Sequence, residues 1–274
     1  MMPSLTPPSR RNWRAQPTQY KREYLARLRE WNSQRLTTSA ASNPYQQSFR
    51  LFLAECIYTI DEARAGEVRP WPTDERWVEW GHSLDGRSWD AYWADWETAL
   101  LCCSPLLIDK TRRVMASNIV CAWDLWVASG GQDPRWPALM LSTQNRKVIV
   151  QSRKLEDEGG SAEFVGRIGE MYRIAVEQGL RERWPGFPEW KFSFGNGRAS
   201  NGGRITAVPQ GADQIRGPGT TLLHAEELSF WTEAGETLET AIPALHPYGH
   251  LVAVTTPAVG TYAKDIRDGL VGRG

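Results

Sequence analysis

Long apolar runs are missing from this sequence of 274 residues. None approaches the roughly 18 residues of a membrane-spanning helix, and the first residues, MMPSLTPPSRRNWR, contain no hydrophobic signal core. We therefore expect a soluble, intracellular protein without a membrane partner. An excess of charge is missing too, since 32 basic and 32 acidic side chains balance to zero. This balance argues against a strongly basic nucleic-acid binder and is compatible with a local basic patch.

Cysteine and histidine are scarce, and neither shows the spacing of a metal site. Among the four cysteines, Cys102, Cys103 and Cys121 lie in apolar stretches, which predicts buried free thiols in a reducing compartment. His224 lies close to the end of an apolar run, a position typical of a packed core histidine. The sequence therefore offers no structural metal centre built from these residue types.

Composition and the spacing of apolar residues divide the chain into three parts. Residues 1–18 are rich in Pro, Ser and Arg and are predicted to be a flexible arm. Residues 19–98 carry apolar and tryptophan side chains at helical spacing, including a predicted helix over 45–65, and we expect a helical N-terminal region. Residues 99–274 alternate short apolar runs with helical patterns. That alternation predicts an α/β domain around a largely parallel sheet.

Short apolar runs within the third part predict the strands of this sheet, at 101–108, 147–152, 221–225 and 250–257. Helical patterns are predicted from about 117 to 128 and from about 162 to 178. Between them, the glycine-rich segment KFSFGNGRASNGGRITAVP has alternating stretches around Gly195, Gly197, Gly202 and Gly203, which indicates a hairpin.

Two adjacent acids end the apolar run TLLHAEELSFW, which starts at Thr221. A buried parallel strand that stops at Glu226 and Glu227 would deliver both carboxylates to the C-terminal edge of the sheet. Nucleotides and their metal ions bind at that edge in nucleotide-hydrolysing sheets. One acid can hold Mg²⁺ there while the other polarises the attacking water. A solvated acidic turn is the alternative interpretation.

The segment from Lys110 to Ser117 aligns poorly with the usual phosphate-binding pattern G-x-x-x-x-G-K-[ST]. Ser117 stands at the position of the Mg²⁺-binding hydroxyl, but Met115 and Ala116 replace the second glycine and the lysine. Lys110 occupies the first glycine position. Phosphoryl transfer requires an ammonium beside the β and γ phosphates, and a lysine at the front of a curled loop can reach that point. Arg112 and Arg113 add positive charge, although an ordinary solvated loop is the alternative.

Four segments together resemble a known family. LLIDKTRRVMASN, VIVQSRK, ADQIRGPGTTLLHAEELSFW and LVAVTTP, in this order, are similar to the ATPase domain of the large terminase subunit of tailed bacteriophages. The resemblance covers roughly residues 70–265. It implies a P-loop NTPase of the additional-strand, catalytic-glutamate class, with a mostly parallel central sheet flanked by helices. Some members of this family also carry the lysine at the front of the phosphate loop.

The resemblance implies a role for the residues of the phosphate-binding loop and for the two adjacent acids. Lys110, Thr111, Arg112, Arg113, Ala116 and Ser117 would form the nucleotide-binding loop, or Walker A motif. Ser117 and Glu226 would hold Mg²⁺, with Glu226 at the Walker B position that is usually aspartate. Glu227 would be the catalytic base.

Two further motifs would complete the motor. Thr255, Thr256 and Pro257 match the coupling motif that senses the γ-phosphate, so Thr256 is predicted to act in the reaction. Arg216 matches an arginine finger that acts on a neighbouring subunit, which implies a homo-oligomeric ring.

The implied function is hydrolysis of ATP, with Mg²⁺, coupled to translocation of double-stranded DNA into a viral procapsid. The resemblance implies a portal protein and a small terminase subunit as partners, and a location in the host cytoplasm with transient docking on the procapsid. The nuclease domain of a complete large subunit, with its clustered aspartates, has no counterpart in the sequence. We therefore expect no DNA cleavage by this chain.

Two other functions fit the same residues. The departures at Met115, Ala116 and Glu226 are compatible with a module that binds ATP and assembles without turnover. A helicase-like, nucleic-acid-dependent ATPase is the other alternative.

Several exposed or aromatic residues keep two interpretations each. Trp71 or Arg69 can stack on adenine or anchor the core. Arg153 and Lys154, and the hairpin residues Arg198 and Arg204, can contact a DNA backbone or remain solvated turn charges.

Overall fold

A seven-stranded sheet organises the structure, a computed structural model that describes residues 43–61, 66–71, 89–110, 116–156, 158–215, 219–256, 258 and 260–267. The strands are β1 Tyr58–Asp61, β2 Glu67–Pro70, β3 Leu106–Asp109, β4 Lys147–Ser152, β5 Trp190–Ser193, β6 Asn196–Ala199, β7 Arg204–Pro209, β8 Thr220–Glu226 and β9 Leu245–Thr255. The large sheet has the order β3-β9-β8-β4-β7-β6-β5, and β1 pairs with β2 in a separate small sheet.

The first five strands of this order are parallel, and β6 and β5 extend the sheet as an antiparallel hairpin. Strand β9 lies between β3 and β8. One additional strand therefore separates the strand that precedes Lys110 from the strand that ends at Glu226. This arrangement confirms the mostly parallel α/β sheet that the sequence predicts.

Helices cover both faces of the sheet. Their bounds are α1 Pro44–Gln47, α2 Phe49–Cys56, α3 Trp89–Cys102, α4 Ala116–Ala128, α5 Ala138–Leu141, α6 Ser161–Glu177, α7 Leu180–Arg183, α8 Ala234–Ala244 and α9 Tyr262–Arg267. Helices α4 and α6 pack on one face around the larger hydrophobic core, and α8 packs on the other face around a smaller core.

Strand β8 shows how the sequence divides these two cores. Leu222 belongs to the core beneath α4, whereas Leu223 and Ala225 belong to the core beneath α8. Because side chains alternate along a strand, His224 and Glu226 share the α4 face with Leu222. The uninterrupted apolar run of β8 is thus the consequence of burial on both faces.

Helix α4 is buried along most of its length, from Ile119 to Ala128. The Arg146 side chain, 3% exposed, fixes the C-terminal end of this helix. Its guanidinium donates to four carbonyl oxygens, those of Val127, Gly131, Leu139 and Ser142, at 2.6–2.8 Å. Arg146 directly precedes β4, so these bonds connect the end of the helix to the start of the central sheet.

Several boundaries differ from the sequence-based predictions. The predicted helix over 45–65 is broken at Ser48, which caps α2, and β1 and β2 follow it. The region 19–98 is therefore not purely helical. Helix α3 continues to Cys102, so the strand predicted at 101–108 begins only at Leu106, whereas β9 begins earlier than predicted, at Leu245.

The cysteine prediction is correct for burial at only one of the three residues named. Cys102 and Cys103 are exposed because they lie at the end of a helix and not within a strand. Cys121, and also Cys56, are buried. Within the described part of the chain, no helix is both long and apolar enough to cross a membrane.

Substituting Arg146 by lysine should destabilise the protein by about 3 kcal/mol, because a single ammonium cannot satisfy four carbonyl groups, three of them in buried bonds. Urea unfolding followed by circular dichroism measures the effect. The matched control is Arg153→Lys, which changes an exposed side chain and should leave the midpoint unchanged. Equal midpoints for both variants would contradict the role assigned to Arg146.

Candidate active site

Three parallel strands end side by side at one edge of the sheet, and they carry the predicted site residues. Asp109 at the end of β3 pairs with Thr255 at the end of β9, and Glu226 at the end of β8 pairs with Val254. The Lys110 amide continues this pairing by donating to the carbonyl of Thr255 at 3.0 Å. Lysine 110 and the two acids therefore meet at the C-terminal edge.

The Lys110 side chain reaches the second of the two acids. Its Nζ lies 3.9 Å from Glu227 Oε1, and the two side chains are 13% and 31% exposed. These residues are far apart in sequence, and the sheet topology brings them together across the intervening strand β9. The ammonium thus lies beside the second acid at this edge of the sheet.

Glu227 adopts a left-handed backbone conformation, with φ 54° and ψ 41°. Among the described residues, only Asn145 is another non-glycine residue with positive φ. Such a conformation costs about 1–3 kcal/mol and persists only where the surroundings impose it. It also separates two neighbouring acids into different environments, since Glu226 is fully buried and Glu227 is partly exposed.

The turn that follows Glu227 is bonded to strand β9. Thr255 Oγ1 accepts a hydrogen bond from the Ser229 amide at 2.8 Å and donates to Ser229 Oγ at 2.7 Å. The indole of Trp231 donates to the carbonyl of Glu226 at 2.8 Å. The strained conformation of Glu227 is therefore held from both sides, and a shift of β9 would act directly on it.

The first acid belongs to a buried chain of three side chains, all without solvent exposure. His224 Nδ1 lies 2.6 Å from Asp124 Oδ2, and its Nε2 lies 3.1 Å from Glu226 Oε1. Asp124 is on helix α4, whereas His224 and Glu226 are on strand β8. The histidine therefore connects the helix that follows the phosphate loop to the strand that carries the acids.

His224 is positively charged in this environment. Burial alone would lower its pKa, but the carboxylates of Asp124 and Glu226 outweigh burial and raise the pKa to about 10. Only an imidazolium can donate from both ring nitrogens at once, so the charged form satisfies both carboxylates.

The oxygens at this end of β8 fit Mg²⁺. Glu226 Oε2 is buried, and it has no hydrogen-bond partner among the described residues. A magnesium ion takes one or two carboxylate or hydroxyl ligands together with water and phosphate oxygens, and it rarely sits in an all-protein cage. No group of three or more His, Cys, Asp or Glu side chains in the described part of the chain could hold a metal ion without such further ligands.

The contact between Asp124 and His224 also fixes the position of helix α4 along the direction of the strands. Ser117 precedes Asp124 by two helical turns, about 10 Å toward the edge from which the helix starts. Glu226 lies two strand residues beyond His224, about 7 Å toward the same edge. Ser117 and Glu226 therefore both lie on the side of this contact that is nearer to the C-terminal edge of the sheet.

The remaining predicted residues divide into two groups. Ala116 and Ser117 begin α4, where Ala116 is buried and Ser117 is half-buried, and Thr256 is half-buried just after β9. Predicted residues that lie outside the described residues are Thr111, Arg112, Arg113, Arg216 and Pro257. The functions assigned to both groups stay predictions.

Two of the residues with two interpretations are buried. Trp71 is 1% exposed and belongs to the larger core, and Arg69 is 8% exposed. Arg153 and Lys154 are exposed after β4. His224 is buried as expected, but its bonds to two carboxylates were missed. A charged residue inside the apolar helix ASNIVCAWDLWVA was the available signal, because a buried aspartate requires a partner.

Comparisons with known proteins identify the fold. No protein-family model and no curated protein matches the sequence. Among solved structures, the large terminase of bacteriophage HK97 is similar with a TM-score of 0.53 and 12% identity, over 84% of this chain and 42% of that chain. The large terminase ATPase domain of Thermus phage P74-26 gives a TM-score of 0.41 at 11% identity, and a point variant of that domain gives 0.42 at 10%. Both cover 71% of this chain and 73% of that chain.

The chain therefore has the α/β fold of the HK97 large terminase, and it spans about two fifths of the length of that protein. The structural neighbours are phage large terminases, as the sequence motifs indicate. At this level of identity the likeness establishes the fold.

Substituting His224 by glutamine should destabilise the protein by about 3 kcal/mol near neutral pH, because two buried carboxylates lose their cationic partner. The folded-state pKa of about 10 lies above the ordinary value of 6.5, so the stabilisation is complete below pH 6.5 and is lost as the pH rises through 10. The difference between the wild type and His224→Gln should therefore shrink over that interval.

Urea unfolding between pH 6 and 10 measures this difference. His246→Gln, at a half-buried histidine outside the site, is the control and should cause a much smaller loss. A difference that stays constant over the whole interval would show that His224 is not charged in the folded protein.

Proposed function

We propose that the protein is the ATP-hydrolysing motor module of a DNA-packaging terminase, which translocates double-stranded DNA into a viral procapsid. One observation carries the proposal: Lys110 Nζ lies 3.9 Å from Glu227 Oε1 at the edge where β3, β9 and β8 end. An ammonium and a carboxylate on opposite sides of an additional strand are the two groups that ATP hydrolysis needs at this edge. The likeness in fold to the HK97 large terminase supports the same function.

The phosphates of ATP bind between Lys110 and helix α4. The ammonium of Lys110 contacts the β and γ phosphates, together with the loop residues Thr111, Arg112 and Arg113. Ser117 and Glu226 hold Mg²⁺, which neutralises charge on the phosphates when bound. His224 keeps one oxygen of Glu226 engaged and leaves Oε2 for the ion. The longer side chain of glutamate, where aspartate is usual, is thereby held at a defined position.

Glu227 orients the attacking water. Without nucleotide, its carboxylate is paired with the ammonium of Lys110. The phosphates compete for that ammonium when ATP binds, because a triphosphate carries more negative charge than one carboxylate. Glu227 can then accept a hydrogen bond from water and position it in line with the γ-phosphorus. Substrate binding thus prepares the base as well as the electrophile.

Strand β9 transmits the structural change that follows hydrolysis to the rest of the motor. Thr256 senses the γ-phosphate, and Thr255 is bonded to Ser229 in the turn that holds Glu227. Movement of the strand end therefore changes the geometry of the base. Arg216 of a neighbouring subunit stabilises the developing charge, so the active form is a homo-oligomeric ring.

The packaging assembly supplies the other partners. We propose that the ring acts on double-stranded viral DNA with a portal protein and a small terminase subunit, in the host cytoplasm and transiently on the procapsid. These partners follow from the resemblance of the motifs and from the fold.

Glu227→Gln should lower Mg²⁺-dependent phosphate release by at least about 100-fold, since the amide cannot accept the proton of water, and it should retain nucleotide binding. Lys110→Ala should lose both, because the phosphates lose their ammonium. Phosphate release and the fluorescence of a labelled ATP analogue measure the two steps. Glu236→Gln, an exposed glutamate on α8, is the matched control and should behave as the wild type.

Unchanged turnover in Glu227→Gln would remove this residue from the role of base. A wild type that binds ATP and oligomerises without releasing phosphate would favour the non-catalytic assembly module. Duplex unwinding driven by ATP would favour the helicase-like alternative.

Arg216→Ala should lower phosphate release by about 1000-fold if the arginine acts as a finger. Mixing Arg216→Ala with Glu227→Gln should restore activity, because a mixed ring contains sites that combine an intact Glu227 with an intact Arg216 from the neighbour. Phosphate release at several mixing ratios measures the restoration. A mixture no more active than its two components would show that Arg216 does not act across a subunit boundary.

A further inference from the structure

Four basic side chains form a continuous row across four strands of the sheet. Lys191 on β5 pairs with Arg198 on β6, Arg198 pairs with Arg204 on β7, and Arg204 pairs with Lys147 on β4. Residues that are paired across neighbouring strands project from the same face. With strands about 4.8 Å apart, the row is about 14 Å long.

This row lies on an open part of the sheet. Trp190, Gly197 and Ile205 alternate with the basic residues and are buried on the face that α6 covers. Lys191, Arg198 and Arg204 are exposed on the other face. Helix α8 and the smaller core cover the β9, β8 and β4 part of that face and reach Val208 near the end of β7, so the antiparallel hairpin and the start of β7 extend beyond them.

The row brings no stabilisation to the fold. Like charges that lie opposite each other on neighbouring strands are destabilising, and none of the four side chains forms an ion pair with any residue that the structure describes. Residues 190–212 contain no aspartate or glutamate. Within the described residues, the row is therefore not paired with any acid.

A second row on the same face supplies neutral polar groups. Ser193 pairs with Asn196, and Asn196 pairs with Thr206. These residues are two positions along their strands from the basic row, a distance of about 7 Å. Side chains of Arg, Lys, Ser, Thr and Asn are the ones that contact phosphate oxygens of nucleic acids.

We infer that this basic face, formed by Lys147, Lys191, Arg198, Arg204, Ser193, Asn196 and Thr206, binds the phosphate backbone of a nucleic acid. A row of four cations matches a ligand with repeated negative charges and not a single phosphate. The identity of the polymer as double-stranded DNA rests on the proposed function, whereas the chemistry of the face does not.

The basic face is separate from the candidate active site. Lys147 and Arg204 are the first residues of β4 and β7, whereas the acids follow at the end of β8. These three strands are parallel, so the basic row and the acids lie at opposite ends of them. Binding of the backbone and hydrolysis of ATP can therefore be measured independently.

The test uses a triple variant, named the hairpin variant, with the substitutions Lys191→Gln, Arg198→Gln and Arg204→Gln. Binding of a labelled duplex of mixed sequence is followed by fluorescence anisotropy, without nucleotide, across a series of salt concentrations. Each lost phosphate contact reduces the slope of log K against log salt by about 0.9, so the slope should become less steep by about 2.7. Affinity at low salt should fall at least about tenfold.

The control removes three positive charges from helices α6 and α7, through Arg167→Gln, Arg173→Gln and Arg181→Gln, and should bind with the wild-type slope. The inference is overturned if the wild type does not bind duplex, if both triple variants lose binding equally, or if the hairpin variant keeps the wild-type slope. Preferential binding of polyglutamate would also overturn it.

Phosphate release without DNA distinguishes this inference from the proposed function. A hairpin variant that hydrolyses ATP like the wild type and has the reduced salt slope supports both. If the wild type does not hydrolyse ATP and the hairpin variant still has the reduced salt slope, the result supports the basic face and not the proposed function. Normal hydrolysis with an unchanged slope refutes the basic face alone.

Discussion

The buried imidazolium of His224 between Asp124 and Glu226 is the contact on which the arrangement of the site depends. It is a bond between helix α4 and strand β8, and both elements reach the same edge of the sheet. Burying three ionisable groups is unfavourable unless each is paired, so the two elements cannot slide past each other without losing that pairing. The position of both Ser117 and Glu226 on the side of that edge and the orientation of one carboxylate oxygen follow from this single constraint. Arg146 provides the matching constraint at the other end of the helix.

Much of the fold is predictable from local patterns. Strand β4 and helices α4 and α6 have the predicted bounds within one residue, because each is a long periodic segment between glycine or polar boundaries. The failures are at places where local pattern and tertiary pairing compete. Residues 58–61 continue the pattern of apolar residues of helix α2, yet they form a strand that pairs with β2. The spacing of apolar residues in the sequence does not reveal this pairing. The run LLCCSPLLI contains both the end of a helix and the start of a strand, and only the packing separates them.

The site is predictable in its chemistry and less so in its geometry. The order of the motifs indicated that Lys110 faces the two acids, since parallel topology brings strand ends together, and these residues do meet. His224 and Asp124 are far apart in sequence, so their bond depends on the rotation of one helix about its axis. The basic face has the same difficulty. Four separated cations become a row only when the register of four strands is known, and a shift of one residue would place them on opposite faces.

The left-handed backbone of Glu227 creates a conflict at one residue between the stability of the fold and the proposed activity. A glycine there would relieve the backbone and would favour the folded state, but it would remove the carboxylate. Directed selection for heat resistance alone would therefore tend to replace the residue proposed as the base. The adjacent acid experiences the opposite pressure, because Glu226 is bonded within the core and its loss would destabilise the fold. Two neighbouring glutamates of identical chemistry would thus diverge under different kinds of selection.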